Sequence, residues 1–304
     1  MSRPWTVACL AGDGVGPELM AEASRVLVAV ARLHALALED VHLPFGSEAF
    51  TRFGHPLPRS TRDAYRSVDA ILVSSPREPA LDGVRADLDL AIQVSRVHGA
   101  AGSAASELVV VGPVGPYADE LAISRAFELA AARRGRLASV GGSPEWRELV
   151  AAERERRDGL RVEEPTVGEA LVRLRDEPGA FDVLVADARL AAGLVDAAAH
   201  LAGGPVTVAV AWLPEQGPGV FAPYACDGSE LAGLGVADPS GTLLAAALLL
   251  AEGLGRRSAA RTLERAVTAA GGSGASGTRG FADAVIDALP DARTDTELFE
   301  EVWR

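Results

Sequence analysis

Residues 7–19 read Val7-Ala8-Cys9-Leu10-Ala11-Gly12-Asp13-Gly14-Val15-Gly16-Pro17-Glu18-Leu19. An apolar run gives way to three glycines in five positions, then to Pro17 and a long helical pattern. This predicts a strand, a tight turn and a helix: glycine supplies the backbone freedom of the turn and proline suits the first helical position. A dinucleotide-binding turn is one reading, because Glu39 and Asp40 lie downstream where a ribose-binding acid would sit. The glycine spacing is one residue short of that fingerprint, however, and Gly16-Pro17-Glu18 favours a turn whose main task is a close helix start.

Working outward, further strand-like runs are expected at residues 70–74, 108–111, 137–140, 183–186 and 206–211. Helical patterns are expected at 17–33, 120–134, 144–157, 167–175, 188–201, 241–253, 258–269 and 280–288. Ser143-Pro144 gives an N-cap followed by proline, a clean helix start. Residues 271–280, rich in Gly, Ser and Ala, read as a mobile loop. The alternation predicts an α/β protein.

The chain has 304 residues, 48% of them hydrophobic, and so can bury a sizeable core. Its net charge of −13 argues against nucleic acid and anionic membrane as partners. No apolar run reaches the roughly 20 residues of a membrane span. The start runs straight into a strand pattern without a signal-peptide pattern, and Cys9 and Cys226 do not make a disulfide framework, so the cytoplasm is the expected compartment. Lysine and asparagine are absent altogether. A high-GC coding bias accounts for part of that, yet a strictly required catalytic lysine should survive it.

Several segments follow in a set order: Phe45-Gly46 with Gly54-His55-Pro56-Leu57-Pro58 and Thr61; Ser67–Leu72; Val84–Leu90; Phe127–Ala130 with Arg133-Arg134; Phe181–Val185; and Leu231–Pro239. Together with the opening turn they resemble the isopropylmalate/isocitrate dehydrogenases, the metal-dependent β-decarboxylating dehydrogenases. The resemblance implies a two-domain α/β fold with a mixed central sheet flanked by helices. Residues 1–97 plus 204–304 would form the nucleotide-side domain, and 98–203 the dimerisation-side domain. It also implies a homodimer, or a hetero-oligomer with a related dehydrogenase subunit, formed through the helix at 188–201. There Leu190, Leu194, Val195, Ala198 and Leu201 make one apolar face that its own sheet or a second subunit must cover.

The same resemblance implies that little of the family's site survives. Of three arginines that grip substrate carboxylates, a task suited to a planar fork, the first matches Arg85. The second falls on Ser95, with Arg96 one residue late, and a one-residue slip on a strand turns the side chain to the other face. The third falls on Gly112. The family's lysine falls on Gly142, while Tyr117 could match its proton-moving tyrosine. Of three metal-binding aspartates, the first two fall on Gly168 and Ala192 and only Asp196 remains, so Mg²⁺ or Mn²⁺ is not expected. Asp196 with His200 is an i, i+4 pair that reads as a solvated helix face. On the nucleotide side, Glu230 stands at the ribose-binding acid and Asp238 at the adenine-contacting asparagine, which leaves room for residual NAD(P) affinity. The arm that clasps two family subunits is almost deleted after Tyr117. His98, close to Arg96, is the one histidine near the implied cleft. Cys226 could be a nucleophile there, but reads better as a small buried thiol.

The expected protein is therefore a family member that has lost metal-dependent oxidative decarboxylation and works as a non-catalytic binding or regulatory homologue, with a small molecule as ligand. The alternative is a refitted NAD(P)-dependent oxidoreductase acting on a small 2-hydroxy acid, with Arg85, Arg96, His98, Tyr117 and Asp196 as its remnants.

Overall fold

The opening segment folds as the sequence predicts. Strand β1 (Trp5–Leu10) ends at the glycine turn and helix α1 (Gly16–Leu33) follows. A computed structural model describes residues 3–75, 80–99, 107–115, 117–177, 179–204, 207–224 and 228–290. After α1 come β2 (Leu38–His42), α2 (Gly46–Phe53), α3 (Arg59–Tyr65), β3 (Ala70–Val73), α4 (Ala80–Asp87) and β4 (Leu90–Val97). The next stretch holds β5 (Leu108–Pro113), α5 (Asp119–Ala131), β6 (Arg136–Val140), α6 (Pro144–Arg156), β7 (Arg161–Glu163), α7 (Val167–Asp176), β8 (Val183–Ala186) and α8 (Ala188–Leu201). The chain returns through β9 (Val208–Pro214), β10 (Gly219–Pro223), α9 (Ser240–Leu248), α10 (Arg257–Gly271) and α11 (Gly277–Asp287). Strands β2, β4, β7 and β10 and helices α2 to α4 are additions to the apolar runs. The expected loop at 271–280 shrinks to 272–276, because α10 and α11 extend into it.

All ten strands form one sheet in the order β2-β1-β3-β10-β9-β4-β5-β8-β6-β7. It is mixed: β4 runs antiparallel to both β5 and β9, and β9 antiparallel to β10. The strands from β2 to β4 in this order lie within residues 1–97 and 204–304, and those from β5 to β7 within 98–203. Residues alternate between two buried faces, as a sheet covered on both sides requires. Val7, Cys9, Leu72, Val94, Val111 and Val185 pack under α1, α5, α6, α9, α10 and α11. Ala8, Leu10, Val73, Val110, Val210 and Leu184 pack under α3, α4, α7 and α8.

Local signals set the helix starts. The Ser143 side chain accepts from the Trp146 amide at 3.0 Å, the cap expected before Pro144. Thr166 and Glu169 make a capping box at α7. Asp187 accepts from the amides of Arg189 and Leu190 at 3.0 and 3.2 Å, which fixes the start of α8. The apolar pattern expected as one helix to Gly253 ends differently: α9 passes into a π-helical turn at Leu249–Gly253. Among the described residues, no helix is long and apolar enough to cross a membrane.

The face of α8 expected to pair two subunits is covered by the chain itself. Leu194 is 2% exposed, and Val195 and Ala198 are buried with it against β4, β5 and β8. Leu201 is exposed and Leu190 half-buried. The amphipathic pattern is real, but its partner is the sheet. Leu194→Ala should therefore cost about 2–5 kcal/mol of folding stability. Denaturant titration should show the same loss at low and high protein concentration. A loss that grows with dilution would place Leu194 in a seam between subunits.

Candidate functional site

The glycine turn is fastened on every side. Gly12 adopts a φ of +70°, and a Cβ there would lie 2.7 Å from Ser75 Cβ. At Gly16 a Cβ would lie 2.0 Å from the Ala11 carbonyl oxygen, so no side chain fits. Asp13 accepts from the Ser47 amide and hydroxyl, and Glu18 from the Gly235 amide. The Ser74 hydroxyl sits between the carbonyls of Ala11 and Gly16 at 2.9 and 2.8 Å. Ser229 packs over Gly14, and Glu230 follows it, exposed, on a short 3₁₀ turn. Cys226 lies outside the described residues.

A cavity of about 440 Å³ lies between the start of α9, the last turns of α10 and the start of α11. It brings together two of the expected residues, His98 and Asp238, with Thr207, Ser240, Thr268 and Phe281. Asp238 accepts from the Ser240 amide at 2.8 Å and from its hydroxyl, which secures the start of α9. His98 keeps part of its surface exposed, yet its Nε2 is sealed from solvent and has no hydrogen-bond partner. Burial pushes the imidazole down to about 4; Arg96 and Arg133 add to this, while Glu107 opposes it.

The residues at the implied substrate-gripping positions lie across the sheet. The Arg85 guanidinium stacks 4.0 Å from the centroid of the Trp212 ring and pairs with Asp82 at 3.3 Å. Trp212 Nε1 donates to Gln93 Oε1, and Gln93 Nε2 donates to Ser95 Oγ, each at 3.0 Å. Gly112 stands opposite Gln93. A Cβ on Gly112 would come within 2.5 Å of Ala191 Cβ on α8, so the helix fills the space through which an arginine would leave the strand. At Gly142 and Gly168, by contrast, an added Cβ meets nothing within 4 Å.

Arg96 points to the opposite face, as the slipped register implies. Its side chain, 9% exposed, ion-pairs with Glu107 at 3.1 Å, Glu252 at 3.3 Å and Glu264 at 2.5 Å. Glu252 also pairs with Arg125, and Glu107 with Arg133 at 2.8 Å. Burial alone would raise Glu107, but Arg96 and Arg133 hold it below the usual carboxylate range. Burial prevails at Glu264 and lifts it. Arg96, expected at a substrate, has its guanidinium engaged by these carboxylates inside the protein. Tyr117, expected as a remnant of the proton-moving tyrosine, lies on the surface. It is 98% exposed, at a φ of +69°.

Asp196 stands exposed on α8 and accepts a hydrogen bond from the Tyr224 hydroxyl, beyond the end of β10. Together with Gly168 and Ala192 this leaves one carboxylate, already engaged, where Mg²⁺ needs several oxygen ligands. The donor set does not fit a divalent metal of that kind. Sequence reasoning missed Tyr224, Trp212, Glu252 and Glu264. Only Glu252 carried a signal, as the lone charge in the apolar run Leu248–Leu254.

The sequence profile described as isocitrate/isopropylmalate dehydrogenase matches residues 6–90 and 117–285. The interruption at 91–116 contains Ser95, Arg96, His98 and Gly112. The 3-isopropylmalate dehydrogenase of Synechococcus sp. (strain CC9605) is 31% identical, over 86% of this chain and 90% of that one. The enzyme of the same name from strain CC9902 is 32% identical, over 89% and 92%. Among solved structures, a beta-decarboxylating dehydrogenase from Thermococcus kodakarensis superposes with a TM-score of 0.80 at 22% identity, covering 99% of each chain. Isocitrate dehydrogenase from Methylococcus capsulatus gives 0.78 at 22% identity, over 94% of this chain and 100% of the other. These superpositions speak for the fold.

The cavity histidine gives a pH test. Its folded-state value of about 4 lies below the unfolded value near 6.5. Above that the imidazole is neutral in both states. As pH falls through 6.5 the unfolded chain takes up a proton that the folded chain refuses, so stability drops until about pH 4. The loss should be on the order of 2 kcal/mol, given the partial exposure. Melting temperatures of wild type and His98→Gln should diverge across this window. Parallel curves would show that His98 titrates normally.

Proposed function

The chain belongs to the isocitrate/isopropylmalate dehydrogenase family, and from that premise we infer that it has given up metal-dependent oxidative decarboxylation and serves as a non-catalytic binding or regulatory homologue. The observation that carries this reading is the packing of α8 on Gly112, with Ala191 Cβ 2.5 Å from where any side chain would begin. The carboxylate clamp is thus closed by architecture as well as by substitution. On the same helix Ala192 replaces one metal acid, and Asp196 is held by Tyr224. Without the metal no Lewis acid polarises a 2-hydroxy acid. Without a lysine the proton relay lacks a partner, and such groups contribute about 10²–10⁴-fold each.

What remains is a place for a small molecule. Glu230 beside the glycine turn and Asp238 on the cavity wall are the residues that would hold the adenosine end of NAD(P). A bound dinucleotide would offer a hydride acceptor, but of the three arginines that would grip a substrate beside it only Arg85 keeps its place, stacked on Trp212. Association with a second copy or a related dehydrogenase subunit belongs to the same reading. On α8 Ala192, Gly193, Asp196, His200 and Leu201 remain outward for it.

Assays with isopropylmalate, isocitrate or tartrate, either nucleotide and Mn²⁺ should yield no reduced nucleotide above blank. Thermal unfolding should shift upward with NAD⁺ or NADP⁺, since a ligand of the native state stabilises it, and should not respond to the diacids. Steady NADH or NADPH formation by protein free of host dehydrogenase would overturn the reading.

A further inference from the structure

Strands β1 and β2 run parallel at the edge of the sheet, with Val7 opposite Asp40 and Cys9 opposite His42. Strand alternation therefore places Cys9, Asp40 and His42 on one face. Helix α1 crosses that face and brings Ser24. The His42 Nε2 lies 3.3 Å from Asp40 Oδ2 and 3.2 Å from Ser24 Oγ. Cys9 Sγ, an Asp40 carboxylate oxygen and a His42 ring nitrogen all lie within 4.8 Å of one another.

A serine–histidine–aspartate relay fails on geometry: there the hydroxyl and carboxylate use opposite ring nitrogens, but here both use Nε2. The Ser24 hydroxyl also bonds the Cys9 thiol, so thiol, hydroxyl, carboxylate and imidazole share one small volume. The groups converge on a common point instead. In a tetrahedral zinc site with bonds of about 2.0–2.3 Å, neighbouring ligand atoms stand roughly 3.3–3.8 Å apart. The Asp40–His42 separation already meets this, and the sulfur lies within 4.8 Å of both ligand atoms.

We propose that Cys9, Asp40 and His42 form a transition-metal site suited to Zn²⁺, with its fourth position facing Ser24 and solvent. One thiolate, one imidazole and one carboxylate make a borderline-soft set, unlike the oxygen-only ligands the family's reaction requires. The His42 side chain is 54% exposed, so an ion has a way in. Burial, and then Asp40, push the Cys9 thiol up to about 12, so the empty site keeps its proton. On binding, the S–H bond breaks, its proton goes to solvent, and a sulfur–metal bond forms. The ion would pin the edge strand β2, which pairs with β1 alone, to β1 and α1 next to the glycine turn. This inference does not depend on the proposed function.

The experiment is a Co²⁺ titration of the reduced full-length chain, followed by Zn²⁺ competition. A thiolate-to-cobalt charge-transfer band should appear, saturate at one equivalent and vanish as Zn²⁺ displaces Co²⁺. His42→Ala, an exposed change on an edge strand, and Asp40→Asn should weaken Zn²⁺ binding by roughly 100-fold or more, given that even outer-sphere partners contribute 10–100-fold. Cys226→Ser should leave the band intact. Far-ultraviolet circular dichroism checks that each variant is folded. Absence of a thiolate band in wild type, a band unmoved by His42→Ala, or a band lost in Cys226→Ser would each overturn the proposal.

Discussion

A single buried guanidinium holds the centre of this protein. Arg96 extends from β4 into three carboxylates, Glu107, Glu252 and Glu264. Arg125 and Arg133 continue the network to Asp182. The strands on either side of β4 come from different stretches of the chain, and the network spans both: Glu252 and Glu264 from the returning segment, Glu107, Arg125, Arg133 and Asp182 from the middle one. Removing one partner of such a buried set strands the others and typically costs about 3–5 kcal/mol. The π-helical turn that ends α9 has a purpose in this setting, because it carries Glu252 inward.

That commitment decides what the opposite face can do. With Arg96 turned into the ion network, strand alternation leaves Ser95 and Gln93 on the side where the family's substrate would lie. They are neutral, and Trp212 and Gln93 satisfy each other. Helix α8 packs tight against Gly112, and its Asp196 is held by Tyr224. These are connected facts, since a helix can approach this closely only where the strand carries no side chain. The open surroundings of Gly142 and Gly168 contrast with this: a side chain at either would meet nothing within 4 Å.

Much of the frame was legible in the sequence, for identifiable reasons. The β1–turn–α1 unit announces itself through a change of hydrophobic period, its glycines and Pro17. Helix α8 was bounded correctly because Asp187 caps an alanine-rich repeat. Strand β4 was obscure because it carries polar residues on both faces, Gln93 and Ser95 on one and Arg96 on the other. The slip from Ser95 to Arg96 was readable, since period two settles which face each residue takes. The partners of Arg96 were not, as Glu252 and Glu264 lie 156 and 168 residues away. An amphipathic face also does not say who covers it, and for that reason α8 read as a dimer seam.

The central claim is that the face carrying Gly112 and Asp196 no longer builds a divalent metal site. Its most direct measurement is calorimetric titration of Mn²⁺ into wild type and into Asp196→Asn, with and without isopropylmalate. The account predicts superimposable titrations, with no saturable heat that depends on Asp196 or on the diacid. A Mn²⁺ site that isopropylmalate strengthens and Asp196→Asn removes would contradict it.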